Sequence, residues 1–270
     1  MNFYDKINSQ KTVIGMVHTL ASPGAPKYNG SVQDIVDKAV KEAKIYEEAG
    51  LDAIIIENMH DVPYLMRNVG AEVVSTLTAV AIKIKAEVSL PIGIQVLAGA
   101  NKQALAIALA ADLDFIRAEG FIFSHIADEG LMNSDAAELM RYRRAIEASK
   151  IKVFCDIKKK HSSHALTSDV DIVEFAHTAD FFLADGLIVT GSSTAQAANI
   201  KEVISVKNAS KKPVLIGSGL TAENIKEYWS AADGFIIGSY FKQNGYWENE
   251  IDPNRVEKFM QEIKILRSNY

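Results

Sequence analysis

Side chains that can take part in acid–base chemistry recur where apolar runs of the sequence end. The candidates for catalysis are His18, Glu57, Arg117, Glu119, Asp156, Lys158 and His161. Glu57 follows three isoleucines, and a carboxylate at such a position is costly unless it is paired or faces a solvent-filled site. Glu57 or Asp156 is therefore a candidate base, Lys158 a candidate cation for an oxyanion or a Schiff base, and the histidines are candidate general acids and bases.

Each of these side chains also has a structural interpretation. Period-two alternation places Arg117 and Glu119 on one face of their strand, and it places Asp156 and Lys158 together on one face of another. Each pair could be a simple ion pair, and His18 could be a structural histidine. Several strands end in charged residues, which is more than stability requires. A functional site is therefore the favoured interpretation.

Two glycine-serine turns near the end of the chain indicate an anion site. Each turn ends an apolar run, at Gly217-Ser218-Gly219 and at Gly238-Ser239. Glycine lets a backbone turn tightly and bring its N–H groups close to an anion, so two such turns side by side can hold a phosphate. The predicted phosphate-binding residues are Gly191, Ser192, Gly217, Ser218, Gly219, Gly238 and Ser239.

Eight apolar strand candidates alternate with segments long enough for crossover helices. They are Thr12–His18, Ala53–Asn58, Pro91–Leu97, Phe115–Gly120, Ile151–Lys158, Gly186–Gly191, Pro213–Gly219 and Gly234–Ser239. This alternation predicts an α/β fold, a (β/α)8 TIM barrel forming a single domain over residues 1–270, with the site at the C-terminal mouth. An open doubly wound sheet is the alternative, but the sequence after the first strand lacks the Gly-x-Gly-x-x-Gly turn typical of it.

Composition argues against several functional classes. A net charge of −5 argues against a nucleic-acid partner. No apolar run reaches the roughly 20 residues of a transmembrane segment, and the N-terminus has no signal-peptide pattern. The single cysteine, Cys155, excludes an internal disulfide, so a cytoplasmic protein is expected. No sequence feature decides whether the protein is a homo-oligomer, which stays open.

A divalent metal is a cofactor that the residues leave open. A binuclear hydrolase barrel would need His-x-His at the end of the first strand, where this chain has His18-Thr-Leu. His161 and His164 have only a loose metal-ligand spacing. An oxygen-ligated divalent ion stays open on three carboxylates, those of Glu57, Glu119 and Asp156.

Spaced motifs along the chain resemble the BtpA/SgcQ family. They are Gly15-Met-Val-His18 with Pro23-Gly24, Glu57-Asn58 with Asp61-x-Pro63-Tyr64, Arg141-Tyr-Arg-Arg144, Asp156 with Lys160-His161, Asp185–Gly191, Pro213–Asn224, and Asp233–Ser239 with Lys242, Gly245, Asp252 and Arg255-Val256. The resemblance covers about residues 11–262 and implies a TIM barrel akin to the ribulose-phosphate-binding group. The family includes a protein linked to photosystem I biogenesis and others associated with sugar-utilisation genes. Glu119 departs from the family pattern, which has asparagine there.

These observations lead to three functional hypotheses. The first is an enzyme that binds a phosphorylated sugar or nucleotide-like small molecule and performs lyase or isomerase chemistry, by analogy with other phosphate-binding barrels. In this hypothesis Glu57 or Asp156 moves a proton, and Arg117 with Lys158 or Lys160 stabilises developing negative charge. The second is a non-catalytic assembly factor of the photosystem I biogenesis type. The third is a metal-dependent hydrolase.

Overall fold

Eight parallel strands form a closed barrel, as the sequence predicts. The computed structural model describes residues 3–191 and 196–269. Each strand pairs with its neighbours in chain order, and the last strand pairs with the first. The strands, β1 to β8, are Thr12–His18, Ala53–Glu57, Ile92–Gln95, Phe115–Ala118, Lys152–Ile157, Gly186–Thr190, Val214–Gly217 and Gly234–Ile237. Almost all of their residues are buried, which explains why they are apolar on both faces.

Helices connect the strands on the outside of the barrel. Helices α1 to α9 of the described ranges are Phe3–Ser9, Val32–Glu48, Ala71–Glu87, Asn101–Ala110, Ala136–Ala145, Ile172–Phe181, Ile200–Ala209, Ile225–Tyr228 and Pro253–Asn269. The predicted cap of α2 is confirmed, because the Ser31 hydroxyl accepts a hydrogen bond from the backbone N–H of Asp34 at 3.1 Å. Within the described ranges, none of the helices is long and apolar enough to cross a membrane.

A small antiparallel sheet lies on the mouth side of the barrel and is not predicted from the sequence. Its strands are His125–Ala127, Gly130–Met132 and Ser162–Ser163. The first two form a hairpin between β4 and α5, and the third follows β5. Both connections leave the carboxyl ends of barrel strands, which places the sheet beside the mouth. Strands of two or three residues are too short to give a recognisable hydrophobic pattern.

Aromatic rings fill the interior of the barrel below the mouth. The ring centroids of Phe115 on β4 and Phe154 on β5 are 5.6 Å apart. Glycines on the flanking strands leave room for the rings: a Cβ on Gly93 would lie 2.3 Å from the Phe115 ring, and a Cβ on Gly186 would lie 2.2 Å from the Phe154 ring. This large-to-small pairing gives the mouth a dry, close-packed floor.

Helix α1 closes the end of the barrel opposite the mouth. The Phe3 ring stacks on Phe115 with centroids 4.2 Å apart, and Ile7 is buried in the same apolar cluster. The sequence does not predict this plug, because seven residues hold only two turns of helix. The side chains of Phe3 and Ile7 complete the apolar cluster inside the barrel at the end that the strands leave open.

Replacing Phe3 with alanine should lower the free energy of unfolding by about 3 kcal/mol, because it removes a buried ring and leaves a cavity beside Phe115. Urea denaturation measures this change. Phe181→Ala is the matched control, because Phe181 is 80% exposed. That substitution should change the free energy by less than about 0.5 kcal/mol. Equal losses in the two variants would contradict the role of α1 as a plug.

Candidate active site

A cavity of about 190 Å³ opens at the mouth of the barrel. One side of its wall carries side chains from β1, β2, β4 and the loop after β5, namely His18, Glu57, Arg117 and Lys160. The rest of the wall is built from the turns after β7 and β8 and the start of α9, and it includes Ser218, Gly219, Gly238, Ser239 and Arg255. The cavity is smaller than the roughly 300–1,000 Å³ of sites for drug-sized molecules, so it suits a small ligand.

His18 and Glu57 form a pair in the cavity wall. His18 Nε2 lies 3.3 Å from Glu57 Oε2, and His18 Nδ1 lies 3.4 Å from the carbonyl oxygen of Trp247. The parallel register of β1 and β2 places the two side chains opposite each other. Burial alone would raise the pKa of Glu57, but the hydrogen bond and charge of His18, with the charges of Arg117 and Lys160, bring that pKa below its ordinary value. Glu57 is therefore a carboxylate at neutral pH, with the imidazole ring of His18 beside it.

Arg117 is held in place by Asp156. Arg117 Nε donates to Asp156 Oδ1 at 2.9 Å, and Nη2 donates to Oδ2 at 2.8 Å. Both side chains are buried, and burial by itself would lower the pKa of Arg117, but the adjacent carboxylate raises it above its usual range. The bidentate pair fixes the guanidinium in the cavity wall. Because Asp156 is engaged in this pair, the geometry favours Glu57 over Asp156 as the base.

Glu119 pairs with Lys159 behind the cavity wall. Lys159 Nζ lies 3.5 Å from Glu119 Oε2, and both side chains are buried. Burial raises the pKa of Glu119 above its ordinary value despite the opposing charge of Lys159. Glu119, the residue that departs from the family pattern, thus has a buried lysine as its ion-pair partner. The two residues lie outside the described wall of the cavity.

Lys158 does not share a face with Asp156, so that prediction is wrong. Strand β5 ends at Ile157, and Lys158 has a φ of 48°, in the left-handed region. Its Nζ lies 5.3 Å from the centre of the Phe175 ring on α6. The chain therefore turns before Lys158, and period-two alternation no longer applies to it. Its ammonium group lies against the helix layer.

Lys160 lines the cavity in place of Lys158. Its ammonium group has no ion pair or side-chain hydrogen bond within the described ranges, although Glu57 is close enough to affect its charge. Burial, followed by the nearby charge of Arg117, lowers the pKa of Lys160 below its ordinary value. The sequence shows three lysines in a row but not the turn between them, so it cannot tell which one reaches the cavity.

The turns after β7 and β8 provide the rest of the cavity wall, next to β1, which pairs with β8. Ser218, Gly219, Gly238 and Ser239 all line the cavity. Ser218 has a φ of 81°, which favours glycine, yet within the described ranges its buried hydroxyl oxygen has no hydrogen-bond partner. A serine held in this conformation costs about 1 kcal/mol or more. A buried polar group kept at that cost is well placed to bind a ligand.

Arg255 adds a cation beside these turns. Its Nε donates a hydrogen bond to the carbonyl oxygen of Tyr240, and its guanidinium carbon lies 4.5 Å from the centre of the Tyr240 ring. The sequence identifies Arg255 only through the family resemblance. Its place at the cavity depends on how α9 packs against the turn after β8.

Three of the predicted phosphate-binding residues are not seen in the cavity wall. Gly217 faces the barrel interior, where an added Cβ would lie 3.6 Å from Arg117 Nη2. Gly191 is buried, and a Cβ there would lie 2.1 Å from the carbonyl oxygen of Gln196, so glycine is required for chain packing. Ser192 lies outside the described residues.

A buried group of charges supports the turn after β8 from behind. Lys242 Nζ donates to Glu42 Oε1 at 2.7 Å, and Lys38 Nζ donates to the same oxygen at 2.6 Å. Lys38 also donates to the backbone carbonyl of His18 at 3.1 Å. Burial would raise the pKa of Glu42, but its two lysines lower it. The group thus ties the end of β1 to the segment after β8, the strand that pairs with it.

The carboxylates of the mouth do not form a metal cluster. Among the described residues, no group of three or more histidine, cysteine, aspartate and glutamate side chains could hold a metal ion. Each proposed carboxylate ligand instead faces its own basic partner, in the pairs Glu57–His18, Glu119–Lys159 and Asp156–Arg117. The divalent ion that the sequence leaves open therefore lacks a ligand set on these residues. His161 is exposed in the loop after β5 and lies outside the described wall of the cavity.

Two histidines connect the small sheet to the lysine loop. The ring centroids of His125 and His164 are 5.4 Å apart, and His164 Nε2 lies 3.0 Å from the carbonyl oxygen of Lys159. Burial lowers the pKa of His125 to about 4, and the charges of His164 and Lys159 act in the same direction. His125 is therefore a neutral packing group at physiological pH.

The barrel resembles solved TIM-barrel structures at low sequence identity. Thiamine phosphate pyrophosphorylase from Pyrococcus furiosus has a TM-score of 0.58 and 12% identity, over 96% of this chain and 98% of that chain. Orotidine 5'-monophosphate decarboxylase from Methanocaldococcus jannaschii, in complex with the inhibitor BMP, has a TM-score of 0.59 and 14% identity, over 94% and 98%. At these identities the likeness shows the fold alone. The predicted TIM barrel is confirmed.

Sequence comparison identifies the family. The model of the BtpA family matches residues 9–265. The chain is 45% identical to an uncharacterized mitochondrial protein of Caenorhabditis elegans, over 96% of this chain and 95% of that protein. It is 33% identical to the photosystem I biogenesis protein BtpA of Synechocystis, over 97% and 91%. This chain belongs to the BtpA family.

The low pKa of His125 predicts how stability depends on pH. The unfolded chain takes up a proton on this histidine below a pKa of about 6.5, whereas the folded protein does so only near 4. Stability is therefore lost as the pH falls through this range. Between about pH 7.5 and pH 5, the free energy of unfolding of the wild type should fall by about 2 kcal/mol more than that of His125→Gln. Denaturant unfolding at both pH values measures the difference.

The matched control is His177→Gln, which removes an exposed histidine from α6. Its stability should follow the wild type across the same pH range. If His125→Gln also kept the wild-type pH dependence, the burial of a neutral His125 would be contradicted.

Proposed function

We propose that this protein is an enzyme that binds a phosphorylated sugar or nucleotide-like small molecule at the barrel mouth and performs lyase or isomerase chemistry. The observation that carries the proposal is the buried hydroxyl of Ser218, which has no hydrogen-bond partner among the described residues and lies in a strained turn of the cavity wall. Around it, Gly219, Gly238 and Ser239 contribute backbone to the wall, and Arg255 contributes a cation. Closely spaced backbone amides, a hydroxyl and a guanidinium are groups that bind a phosphate ester.

The acid–base groups lie in the part of the wall formed by β1, β2 and β4. Glu57 is the proposed base, because its lowered pKa keeps it ionised and it lines the cavity in which the ligand would bind. His18, 3.3 Å from Glu57, is the proposed partner in proton transfer. A phosphate held at the glycine-serine turns would direct the rest of a small substrate towards this pair. The binding energy of the phosphate would thus be used to orient the reacting part of the substrate.

Arg117 is proposed to stabilise negative charge that develops on the substrate. Asp156 fixes its Nε and Nη2, and its side chain lines the cavity. Nη1 makes no hydrogen bond within the described ranges and is the group left to donate to an oxyanion. A donor fixed before the reaction stabilises charge without having to reorganise. Lys160 adds a basic side chain to the same wall.

The names of proteins with similar barrels agree with this proposal. Thiamine phosphate pyrophosphorylase and orotidine 5'-monophosphate decarboxylase are both named for phosphorylated compounds. The fold itself does not determine the function, so this agreement is an analogy. The location of the predicted site in the mouth, where barrels of this type carry their active sites, supports it independently.

An assembly factor is the second candidate function. The observation that favours it is the 33% identity to the photosystem I biogenesis protein BtpA. That function predicts a protein partner and no effect of substitutions inside the mouth. A metal-dependent hydrolase is favoured by none of the described residues, because the mouth carboxylates each have a separate basic partner.

Ser218→Asp and Gly238→Asp should each abolish the binding of ribose 5-phosphate, because a carboxylate in the wall repels the phosphate and occupies its place. An aspartate fits at position 238, since a Cβ there would lie no closer than 3.5 Å to Met16 and 3.7 Å to His18. Isothermal titration calorimetry with ribose 5-phosphate, and with ribose as the unphosphorylated control, measures the loss. Ser75→Asp is the matched control, because it places the same charge on the exposed side of α3 and should leave binding unchanged.

Ser218→Gly separates the ligand role of the hydroxyl from its structural effect. Glycine tolerates a φ of 81°, so this variant should be as stable as the wild type or more stable. It should nevertheless bind ribose 5-phosphate more weakly. Unchanged binding in the Ser218→Asp and Gly238→Asp proteins would contradict the phosphate site and would favour the assembly-factor function.

A further inference from the structure

We infer that Lys160 forms an imine with the carbonyl group of the substrate, so that the substrate class is phosphorylated aldehydes and ketones. This inference rests on the proposed phosphate site, which would bring such a carbonyl group into the cavity. It assigns to Lys160 a covalent role that a positive charge alone would not require.

The first support is the different surroundings of three consecutive lysines. Lys158 lies against the Phe175 ring, with its Nζ 5.3 Å from the ring centre. Lys159 pairs with the buried carboxylate of Glu119 at 3.5 Å. Lys160 alone of the three lines the cavity, and its amine has no hydrogen-bond or ion-pair partner within the described ranges. An amine must be unpaired and accessible to attack a carbonyl carbon.

The second support is the backbone that presents Lys160. Lys158 and His161 have φ values of 48° and 52°, so residues in the left-handed region stand on both sides of the pair Lys159–Lys160. The carbonyl oxygen of Lys159 lies 3.0 Å from His164 Nε2, and this contact anchors the loop between Lys159 and His164. Strained residues of this kind persist where the surrounding structure fixes a functional conformation.

The third support is the charge around the amine. Arg117 shares the cavity wall, and its positive charge and the burial of the site both favour the neutral form of the lysine. Glu57, Asp156 and Glu119 act in the opposite direction, but the latter two are paired with Arg117 and Lys159. A lysine beside another cation in a partly desolvated site is the arrangement that activates an amine as a nucleophile.

The chemical step uses groups that are all in the cavity wall. The neutral Nζ of Lys160 attacks the carbonyl carbon, a C–N bond forms, and the carbonyl oxygen takes a proton to become a hydroxyl group. The nitrogen releases one proton, the hydroxyl group takes another and leaves as water, and a protonated imine remains. His18 is placed to supply the protons to the oxygen. Glu57 can then accept a proton from the neighbouring carbon. The C–H electron pair forms a C=C bond and the π pair of the C=N bond moves onto the nitrogen, which gives an enamine.

Borohydride trapping tests this inference, because the hydride reduces an imine to a stable secondary amine. The wild-type protein is treated with sodium borohydride and D-glyceraldehyde 3-phosphate, or with unphosphorylated glyceraldehyde as the control, and the modified residue is located by peptide mass spectrometry. We expect an adduct on Lys160 that depends on the phosphate and exceeds any adduct on Lys158. Adducts of equal yield on Lys158 and Lys160, or no adduct on Lys160, would overturn the inference.

Three variants complete the test. Lys160→Arg keeps the charge and should lose the adduct while still binding ribose 5-phosphate. Lys158→Met is the matched control and should keep the adduct. Ser218→Asp should lose the adduct because it loses the phosphate site.

The same samples, titrated with ribose 5-phosphate, separate the two proposals. A wild-type protein that binds ribose 5-phosphate but gives no adduct on Lys160 would overturn the imine and leave the phosphate site standing. A wild-type protein that binds neither ribose 5-phosphate nor the aldehyde would overturn both.

Discussion

The pairing of Arg117 with Asp156 is the interaction on which the mouth of this barrel depends. The interior below it is filled by phenylalanine rings, and a guanidinium there is tolerated only with a well-matched carboxylate beside it. Removing one partner of such a pair leaves a buried charge uncompensated, which costs about 3–5 kcal/mol. The pair therefore marks the level where the dry core ends and the site begins. It also engages both carboxylate oxygens of Asp156, which is why we propose Glu57 as the base.

The mouth combines groups that suit a phosphorylated substrate. The Ser218 turn and Arg255 lie at one side of the cavity, and the Glu57–His18 pair lies in the wall formed by β1 and β2. The Glu42 group links the end of β1 to the segment after β8 through its lysines. A substrate held by its phosphate would thus meet acid–base groups whose distance from the anchor is set by the barrel, not by a flexible loop.

The sequence predicts the barrel well because its strands are buried on both faces. The bounds of β1 are correct at both ends, and the others are correct within two residues at each end. Helix α1 and the small sheet are not predicted, because short elements carry too little pattern. The sequence also does not show that Lys160, and not Lys158, reaches the cavity, and this has another cause. Two residues with positive φ redirect the chain after β5, and neither is a glycine, the residue type that would indicate such a turn. Arg255 reaches the mouth only through the packing of the last helix, which no local pattern records.

A crystal structure of the protein soaked with ribose 5-phosphate tests the phosphate site most directly. The structure and chemistry of the mouth predict phosphate density within hydrogen-bond distance of the Ser218 hydroxyl and the backbone of Gly219 and Ser239, with Arg255 beside it. The sugar should extend towards Glu57. Density for the ligand elsewhere on the barrel, or a mouth that stays empty at saturating ligand, would contradict the assignment of this cavity as the substrate site.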